Sequence, residues 1–372
     1  MLGLIIAFAL ITRLWNLQIP TGYYFDEVYN AFTTQEVAKG NIKAYEWFHT
    51  SPVAGTAYGW THPPLAKLLS AISIWLFGDN SFGWRISGAI IGTGVIYLTY
   101  LVAKELMDRK YAMIAAFLAS LDGLILVQSR INMNDIFALF FILLAFYLFL
   151  KKRLLLLSIS LGLLLATKWT GLYAIAIFGW RKNIFGMLII ILGIYLLSYS
   201  HYFFLGGSWQ NFLELQKQMW WYNTTLTATH TYQSAWWTWP LDLRSVWYYV
   251  NYQSNSIANI YALGNPFIFW LGIPAILYTL YKRKWLIVIG YLAFWLPWAR
   301  APRIMFLYHF LPSVPFICMA IAFSLSQTKN KILTFIILSF TFLSFVYFFP
   351  IWVGIPIPKN LVNQYFWLPG WK

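Results

Sequence analysis

The 372-residue sequence has few charged side chains and a single cysteine. Charged residues make up 10% of the chain, whereas soluble domains carry about 25%. A chain with so little charge cannot cover a normal water-facing surface, so a large soluble protein is excluded. The lone Cys318 lies in an apolar run and excludes both an internal disulfide framework and a zinc site built from cysteines. We interpret it as a small core residue.

Acidic residues and nucleotide-binding motifs are also scarce. The chain has 26 lysines and arginines against 11 aspartates and glutamates, for a net charge of +15. It lacks the G-x-x-x-x-G-K-[ST] phosphate loop and the H-E-x-x-H zinc motif. Without a soluble domain to hold a nucleotide, a nucleotide-linked donor is disfavoured. We therefore predict no cofactor and no metal, with a divalent cation at paired carboxylates left as an alternative.

Hydrophobic residues make up 60% of the chain and aromatic residues 21%, and the mean hydropathy is +0.63. A transmembrane helix needs about 20 apolar residues, and runs of about this length recur along the sequence. We predict an all-α polytopic membrane protein with about eleven transmembrane helices, near residues 2–19, 83–105, 111–128, 135–150, 153–167, 170–181, 183–205, 259–281, 285–300, 303–326 and 332–349.

Basic residues cluster in alternate short loops. Such clusters mark the cytoplasmic side of a membrane, which predicts a cytoplasmic N-terminus, an outer C-terminus and a location in the plasma membrane. Attraction to anionic headgroups accounts for much of the positive charge, so nucleic-acid binding is not needed to explain it. The clusters lie at 104–110, 151–153, 181–182, 282–284 and 329–331.

Two long segments are predicted to lie outside, at 20–82 and 206–258. They divide the chain into an N-terminal module (1–205) that includes the first outer segment, an outer loop (206–258), and a C-terminal module with its tail (259–372). Within the first segment, apolar residues at helical spacing predict an amphipathic helix over 64–77, lying at the membrane interface.

Polar residues collect on the outer side. Asp26 and Glu27 follow the first span, where charge is costly unless it has a function or a partner. Arg303 is expected at the outer start of a helix, whose N-terminus would add to an anion site. Simpler interpretations stay open: the acidic pair as a structural ion pair, the arginines as snorkelling anchors, His62 as a capping group, His309 as a core histidine, and 236–240 as an aromatic belt.

Eight stretches, in order from end to end, resemble the protein O-mannosyltransferases, which are GT-C membrane glycosyltransferases using a polyprenyl-phosphate-linked sugar. No single stretch is specific, but the ordered set is. The stretches are Phe25-Asp26-Glu27, Thr61 to Lys67, Phe82-Gly83-Trp84-Arg85, Val127-Gln128-Ser129-Arg130 with Asp135, Lys168-Trp169-Thr170-Gly171, His230 with Ser234 to Leu241, Leu263-Gly264-Asn265-Pro266, and Arg303 with Phe306 to His309.

The resemblance implies a GT-C fold with a structured first outer loop, and Asp26 as the catalytic base with Glu27 beside it. The chain differs from the eukaryotic members in lacking their large lumenal domain, so it looks like a minimal, prokaryotic-like member. We assign the remaining residues by expected role: donor phosphate or carrier, Arg85, Arg130, Lys168 and Arg303; acceptor or sugar, His62, Asp135, His230, Trp236 and Trp237; functionally sensitive, Arg13, Asn265 and His309.

The implied reaction moves mannose from polyprenyl- or dolichyl-phosphate-mannose to serine or threonine hydroxyls of secreted or membrane proteins, by inverting single displacement on the outer face. Membrane lipids are expected partners, nucleic acid is not, and a dimer is left open. One alternative is a GT-C transferase that moves another lipid-linked sugar, such as aminoarabinose, onto a lipid or glycan. The other is a transporter or flippase of such lipids.

Overall fold

The computed structural model describes residues 1–179 and 184–372, and the predicted basic cluster at 181–182 lies outside them. The first outer segment is folded rather than extended, and it carries two of the helices of the N-terminal half. The nine helices described before residue 180 are α1 (Leu2–Leu14), α2 (Glu27–Ala38), α3 (Leu65–Phe77), α4 (Ser81–Leu106), α5 (Arg109–Ser120), α6 (Gly123–Ser129), α7 (Asn134–Leu150), α8 (Leu154–Leu165) and α9 (Gly171–Phe178).

The C-terminal half adds seven helices and a small sheet. The helices are α10 (Ile184–Ser198), α11 (Ser200–Phe204), α12 (Trp209–Thr225), α13 (Pro266–Tyr281), α14 (Trp285–Leu292), α15 (Val314–Thr328) and α16 (Lys331–Val353), with short 3-10 turns at Leu296–Arg300 and Leu307–Ser313 among others. The strands are β1 (Val246–Tyr252), β2 (Ser256–Ala262) and β3 (Ile357–Pro358).

Within residues 1–179 and 184–372, three continuous helical stretches are long and apolar enough to cross a membrane: Ser81–Leu106, Leu307–Thr328 and Lys331–Val353. The pair α5 and α6, bent by 64° at its break, adds a fourth if it is one span. Seven further apolar helices of the described residues are shorter, including Leu2–Leu14 and Asn134–Leu150. The chain is a multi-pass membrane protein, and the count of eleven spans stays a prediction.

The all-α expectation is wrong in one place. Strands β1 and β2 form an antiparallel hairpin, with Val250 opposite Asn259, and β3 pairs with the start of β2. The predicted span at 259–281 therefore begins as a strand, and the proposed boundary at 258 would cut β2. Helix α13 starts only at Pro266, where proline suits the first helical position and the Asn265 side chain caps the helix by accepting from the Phe267 N–H.

Two further predicted spans also differ from the helices in the structure. The span at 111–128 breaks at Leu121 and Asp122, because Asp122 caps a new helix by accepting from the Ile125 N–H. Residues 301–306 form no helix, and the next helical turn begins at Leu307. Arg303 therefore does not lie at a helix N-terminus, and the expected contribution of a helix dipole is removed.

The amphipathic helix predicted over 64–77 is confirmed as α3. It ends at Gly78, whose φ of 89° is a conformation that favours glycine. On its outward side Trp75 and Leu76 are exposed, and the other side packs on α2 and α4. This packing fixes the first outer segment against the spans and so determines where Asp26, just before α2, is held.

Close packing between α4 and α6 positions Ser129 at the end of α6. A Cβ atom added at Gly92 would lie 2.0 Å from the Ser129 Oγ atom, so only glycine allows the two helices to approach this closely. Ser129 in turn accepts a hydrogen bond from Arg13 Nε at 3.2 Å. The end of α6 is thereby locked to α1, and the chain that follows turns into α7.

Candidate active site

A cavity of about 750 Å³ lies between the first outer segment, the start of α7, the α8–α9 connection, α12 and residues 297–309. These segments are far apart in sequence and meet only in the fold. Six residues singled out in the sequence line this cavity: Asp26, His62, Asp135, Lys168, Arg303 and His309. The convergence of Asp135, Lys168 and Arg303 depends on helix packing, which the sequence does not specify.

Asp26 lies immediately before α2 and faces the cavity. Burial raises the pKa of its carboxyl group to about 7, with the negative charge of Asp135 acting in the same direction and Lys168 and Arg303 opposing it. No hydrogen bond from residues 1–179 or 184–372 reaches its carboxylate oxygens. A carboxylate with such a pKa and free lone pairs is suited to accept a proton near neutral pH.

Lys168 and Asp135 form a nearly buried ion pair across the cavity wall. Lys168 Nζ lies 2.6 Å from Asp135 Oδ1, with 10% and 8% of the two side chains exposed. Asp135 is in the first turn of α7, and Lys168 lies just beyond the end of α8. The structure thus brings together a predicted phosphate-binding cation and a predicted acceptor contact, and it holds the ammonium group in a fixed place.

Arg303 is held by a residue that the sequence did not single out. Its Nη1 atom donates to Asn223 Oδ1, and Asn223 Nδ2 donates to the carbonyls of Met219 at 2.9 Å and Thr61 at 3.3 Å. The Nε–H of Arg303 is buried without a hydrogen-bond partner in the described part of the chain. Asn223 therefore ties Arg303 to the loop before His62, and Arg303 keeps a free donor.

The His62 side chain is held in its neutral form. Burial lowers its pKa well below the ordinary value, and the charges of Lys168, Lys67 and Arg303 act in the same direction. A neutral imidazole both donates and accepts hydrogen bonds. His62 thus suits contact with sugar or hydroxyl groups rather than compensation of a phosphate charge.

Aromatic rings form much of the remaining wall. Trp60 and Tyr222 meet edge to face with their centroids 5.5 Å apart, and Trp298 lies 4.2 Å from the ring of His309. All four line the cavity. Broad rings with polar edges are suited to pack on sugar or isoprenoid groups.

Glu27 and Arg85 form a fully buried ion pair outside the cavity. Arg85 Nε donates to Glu27 Oε1 at 2.8 Å and Arg85 Nη2 donates to Oε2 at 2.7 Å. Arg85 also donates to the carbonyls of Leu17, Pro20 and Gly22. Neither side chain is exposed. The polar atoms of Glu27 and Arg85 are already paired with each other and with backbone carbonyls, and neither residue lines the cavity. The predicted catalytic role of Glu27 and the predicted phosphate contact of Arg85 stay predictions.

Arg130 and Arg13 also point into the protein. Arg130 Nη1 donates to the Arg13 carbonyl at 2.8 Å, and Arg13 Nη1 donates to the Ala9 carbonyl at 3.0 Å. Both are buried. The Arg130 guanidinium donates to carbonyls at the end of α1 and does not line the cavity, and its phosphate contact stays a prediction.

The last four assigned residues lie outside the cavity lining. Asn265 donates to the carbonyls of Leu121 and Thr341, so it joins three helices. Exposed His230 packs edge-on against Phe306, which lines the cavity. Trp236 packs on Trp295, while Trp237 is 58% exposed. Neither tryptophan lines the cavity, and their contact with the sugar stays a prediction. Within residues 1–179 and 184–372, no three histidine, cysteine or acidic side chains are grouped to hold a metal.

Two family profiles cover almost the whole chain. The one described as dolichyl-phosphate-mannose-protein mannosyltransferase matches residues 3–228. The chain belongs to this family. The profile of the C-terminal four-helix region of protein O-mannosyltransferases matches residues 208–285 and 278–371. The chain is accordingly a membrane glycosyltransferase, and the family expected from the ordered motifs is confirmed.

Relatives in actinobacteria align along the full length. The polyprenol-phosphate-mannose–protein mannosyltransferase of Mycolicibacterium smegmatis is 26% identical, over 100% of this chain and 92% of that protein. Its counterpart in Mycobacterium tuberculosis is 25% identical, over 100% and 91%. Dolichyl-phosphate-mannose–protein mannosyltransferase 1 of Saccharomyces cerevisiae is 26% identical over 43% of this chain and 23% of its own length.

Solved structures confirm the GT-C fold. The S. cerevisiae Pmt1–Pmt2 complex bound to its sugar donor superposes with a TM-score of 0.81 at 15% identity, covering 100% of this chain and 92% of the other. ArnT from Cupriavidus metallidurans gives 0.63 at 14% identity, covering 87% and 59%. The oligosaccharyltransferase AglB of Archaeoglobus fulgidus gives 0.54 at 13% identity, covering 95% and 55%.

Proposed function

We propose that this protein transfers mannose from a polyprenyl-phosphate-mannose lipid to serine or threonine hydroxyls of proteins. Family membership supports the reaction class. The observation that carries the assignment of roles is that Asp26, whose pKa is about 7, shares one cavity with Lys168 and Arg303. A base and two cations are the groups this transfer requires.

In the proposed step, the acceptor hydroxyl oxygen attacks the anomeric carbon of mannose. The bond from that carbon to the phosphate oxygen breaks, the hydroxyl proton passes to the Asp26 carboxylate, and polyprenyl phosphate leaves. General-base assistance of this kind is worth about 10²- to 10⁴-fold. Negative charge develops on the phosphate oxygen as it leaves, close to the Asp26 carboxylate. Lys168 and Arg303 would stabilise this negative charge.

The state of the other carboxylates supports an inverting reaction. Retention needs a second nucleophile that forms a sugar–enzyme intermediate. Glu27 is buried against Arg85 and Asp135 is paired with Lys168, so neither is free to attack. A single displacement with Asp26 as base is therefore favoured, and the product would have the inverted anomeric configuration.

We further propose that the cavity opens on the outer face, with a cytoplasmic N-terminus, an outer C-terminus and about eleven spans. The alternating basic loops support this arrangement. The three modules given above remain our proposed division, apart from the boundary at 258. A dimer also stays a proposal, supported by the Pmt1–Pmt2 complex formed by the yeast proteins.

The test is transfer of radiolabelled mannose from synthetic polyprenyl-phosphate-mannose to a threonine-containing peptide by purified protein. We expect Asp26→Asn to lower the rate by about 10²- to 10⁴-fold. Asp79→Asn, which changes an exposed acid of the same outer segment, is the matched control and should retain activity. Full activity of Asp26→Asn would refute the assignment of the base.

The structural likeness to ArnT keeps another transfer open to test. Label that appears in a lipid fraction and never in peptide would identify a lipid acceptor instead. Transfer from an aminoarabinose donor but not from the mannose donor would identify a different sugar. Either result would replace the proposed reaction while leaving the fold unchanged.

A further inference from the structure

A second cavity, of about 510 Å³, adjoins the first. Its walls are residues 226–228 and 233–235 on one side and residues 302–305 on the other. Four residues line both cavities: Leu226, Pro302, Arg303 and Ile304. A molecule lying in the second cavity would therefore reach the reaction cavity past Arg303 without crossing a membrane-spanning helix. We call the second cavity the side groove.

Neither wall of the side groove is helical, and the backbone at Leu226 is extended. The Ser234 N–H donates to the Met305 carbonyl at 2.9 Å and joins the two walls. Ala235 and Phe306, at the ends of these segments, have extended dihedral angles. The N–H groups of Thr227, Ala228 and Ile304 have no hydrogen-bond partner within the described ranges. Free N–H groups along an extended segment are suited to pair with another extended chain.

The side chains of the groove are small or uncharged. Thr227, Gln233 and Ser234 provide hydroxyl and amide groups, Ala228 and Ala235 leave room, and Arg303 is the one charged residue of the lining. The Arg303 Nε–H, at the junction with the reaction cavity, is buried without a partner among the described residues. A buried donor without a partner normally indicates a missing acceptor, such as a water or a ligand group.

We propose that the side groove binds the acceptor polypeptide, in an extended conformation, next to the residue that receives mannose. This inference rests on the proposed function and locates its second substrate. Main-chain hydrogen bonds would supply most of the affinity, because they are available to any sequence. The alanines would favour small side chains beside the acceptor residue.

The first experiment fills the groove. In Ala228→Trp, the kcat/KM for a ten-residue threonine peptide should fall at least about tenfold, which corresponds to about 1.4 kcal/mol of lost binding. The higher kcat/KM expected for that peptide than for N-acetyl-threonine amide should disappear in this variant. Ala54→Trp changes an exposed residue of the first outer segment that lines neither cavity. It should keep the kcat/KM of the unsubstituted protein and the difference between the two acceptors.

The second experiment traps the peptide. Cys318 is fully buried, so a cysteine introduced at the surface is the accessible thiol. Peptides carrying one cysteine at increasing distance from the threonine are incubated with Ala228→Cys under mild oxidation. We expect a disulfide at one or two spacings, suppressed by excess cysteine-free peptide. Ala54→Cys should give no spacing-dependent product.

The outcomes distinguish a failure of the groove assignment from a failure of the proposed function. If the unsubstituted protein glycosylates the peptide but neither Ala228 variant differs from its Ala54 control, the groove assignment is overturned and the proposed function stands. If Ala228→Trp raises the KM of the lipid donor and leaves that of the peptide unchanged, the groove holds the donor instead and the inference is wrong. If the unsubstituted protein glycosylates no peptide, the proposed function fails first.

Discussion

The pKa of Asp26 predicts that the rate of transfer depends steeply on pH near neutrality. With a pKa of about 7, the carboxylate is about 9% ionised at pH 6 and about 91% at pH 8. The base must be ionised to accept a proton, so kcat/KM should rise about tenfold over this interval. An aspartate of ordinary pKa would change by about 1% over the same range.

The charged groups around Asp26 predict the direction in which substitutions should shift the pH profile. His62 has a pKa well below its ordinary value and stays neutral across the interval. Asp135 raises the pKa of Asp26, so Asp135→Asn should move the acid limb of the profile to lower pH. Lys168 lowers it, so Lys168→Met should move the limb to higher pH. Opposite shifts from the two members of one ion pair would not arise from general damage.

The assay measures initial rates of mannose transfer to peptide at subsaturating donor concentration, from pH 5.5 to pH 8.5. Under that condition the profile reports the free enzyme. Asp79→Asn serves as the control, because the charge of Asp79 is not among the causes of the Asp26 shift. A rate that is flat between pH 6 and pH 8 would refute the reasoning, as would shifts of equal sign in the two variants.

Two further predictions concern residues that hold the site. Asn223→Ala should lower kcat/KM about 10- to 100-fold, because a hydrogen bond to a charged group is worth about 1.5–3 kcal/mol. Asn211→Ala, on the same helix, is its control in the transfer assay, and equal activity of the two variants would exclude Asn223 as a positioning residue. Arg85→Met should destabilise the protein by about 3–5 kcal/mol because Glu27 is left buried and unpaired. Thermal unfolding in detergent measures this, and an unchanged melting temperature would contradict it.

Helices α3 and α4 and the candidate base Asp26 were accessible from sequence because each has a signal in the sequence itself. The interfacial helix α3 follows from apolar spacing, and α4 from a long apolar run. Asp26 follows from its place in an ordered set of family motifs. None of these inferences needs knowledge of which helices are neighbours.

The separation of Asp26 from Glu27 could not be predicted in this way. The two residues are adjacent in the chain, yet one faces the cavity and the other is buried against Arg85. The sequence offered a structural ion pair as an alternative but did not say which acid would form it. The partner comes from α4, and only the packing of α2 near α4 decides that geometry.

The hairpin and Asn223 were missed for different reasons. Residues 259–262 are mostly apolar and lie only three residues before α13, so length and hydropathy assign them to a span. Asn223 lies in a polar helix with several other amides, and nothing in its local sequence distinguishes it. Its importance arises from contact with Arg303 and with the Thr61 carbonyl, which come from distant parts of the chain.

The short length of α7 and α8 affects the membrane around the site. At 1.5 Å per residue, the 17 residues of α7 and the 12 of α8 extend about 26 Å and 18 Å, less than the roughly 30 Å hydrocarbon layer. A span shorter than the hydrocarbon layer is accommodated by thinning of the bilayer beside it or by snorkelling of its flanking residues. Asp135 and Lys168 lie at one end of these helices, so local thinning would bring a lipid phosphate towards them. A donor phosphate could then reach the ammonium group of Lys168 while most of its isoprenoid tail stayed among the acyl chains.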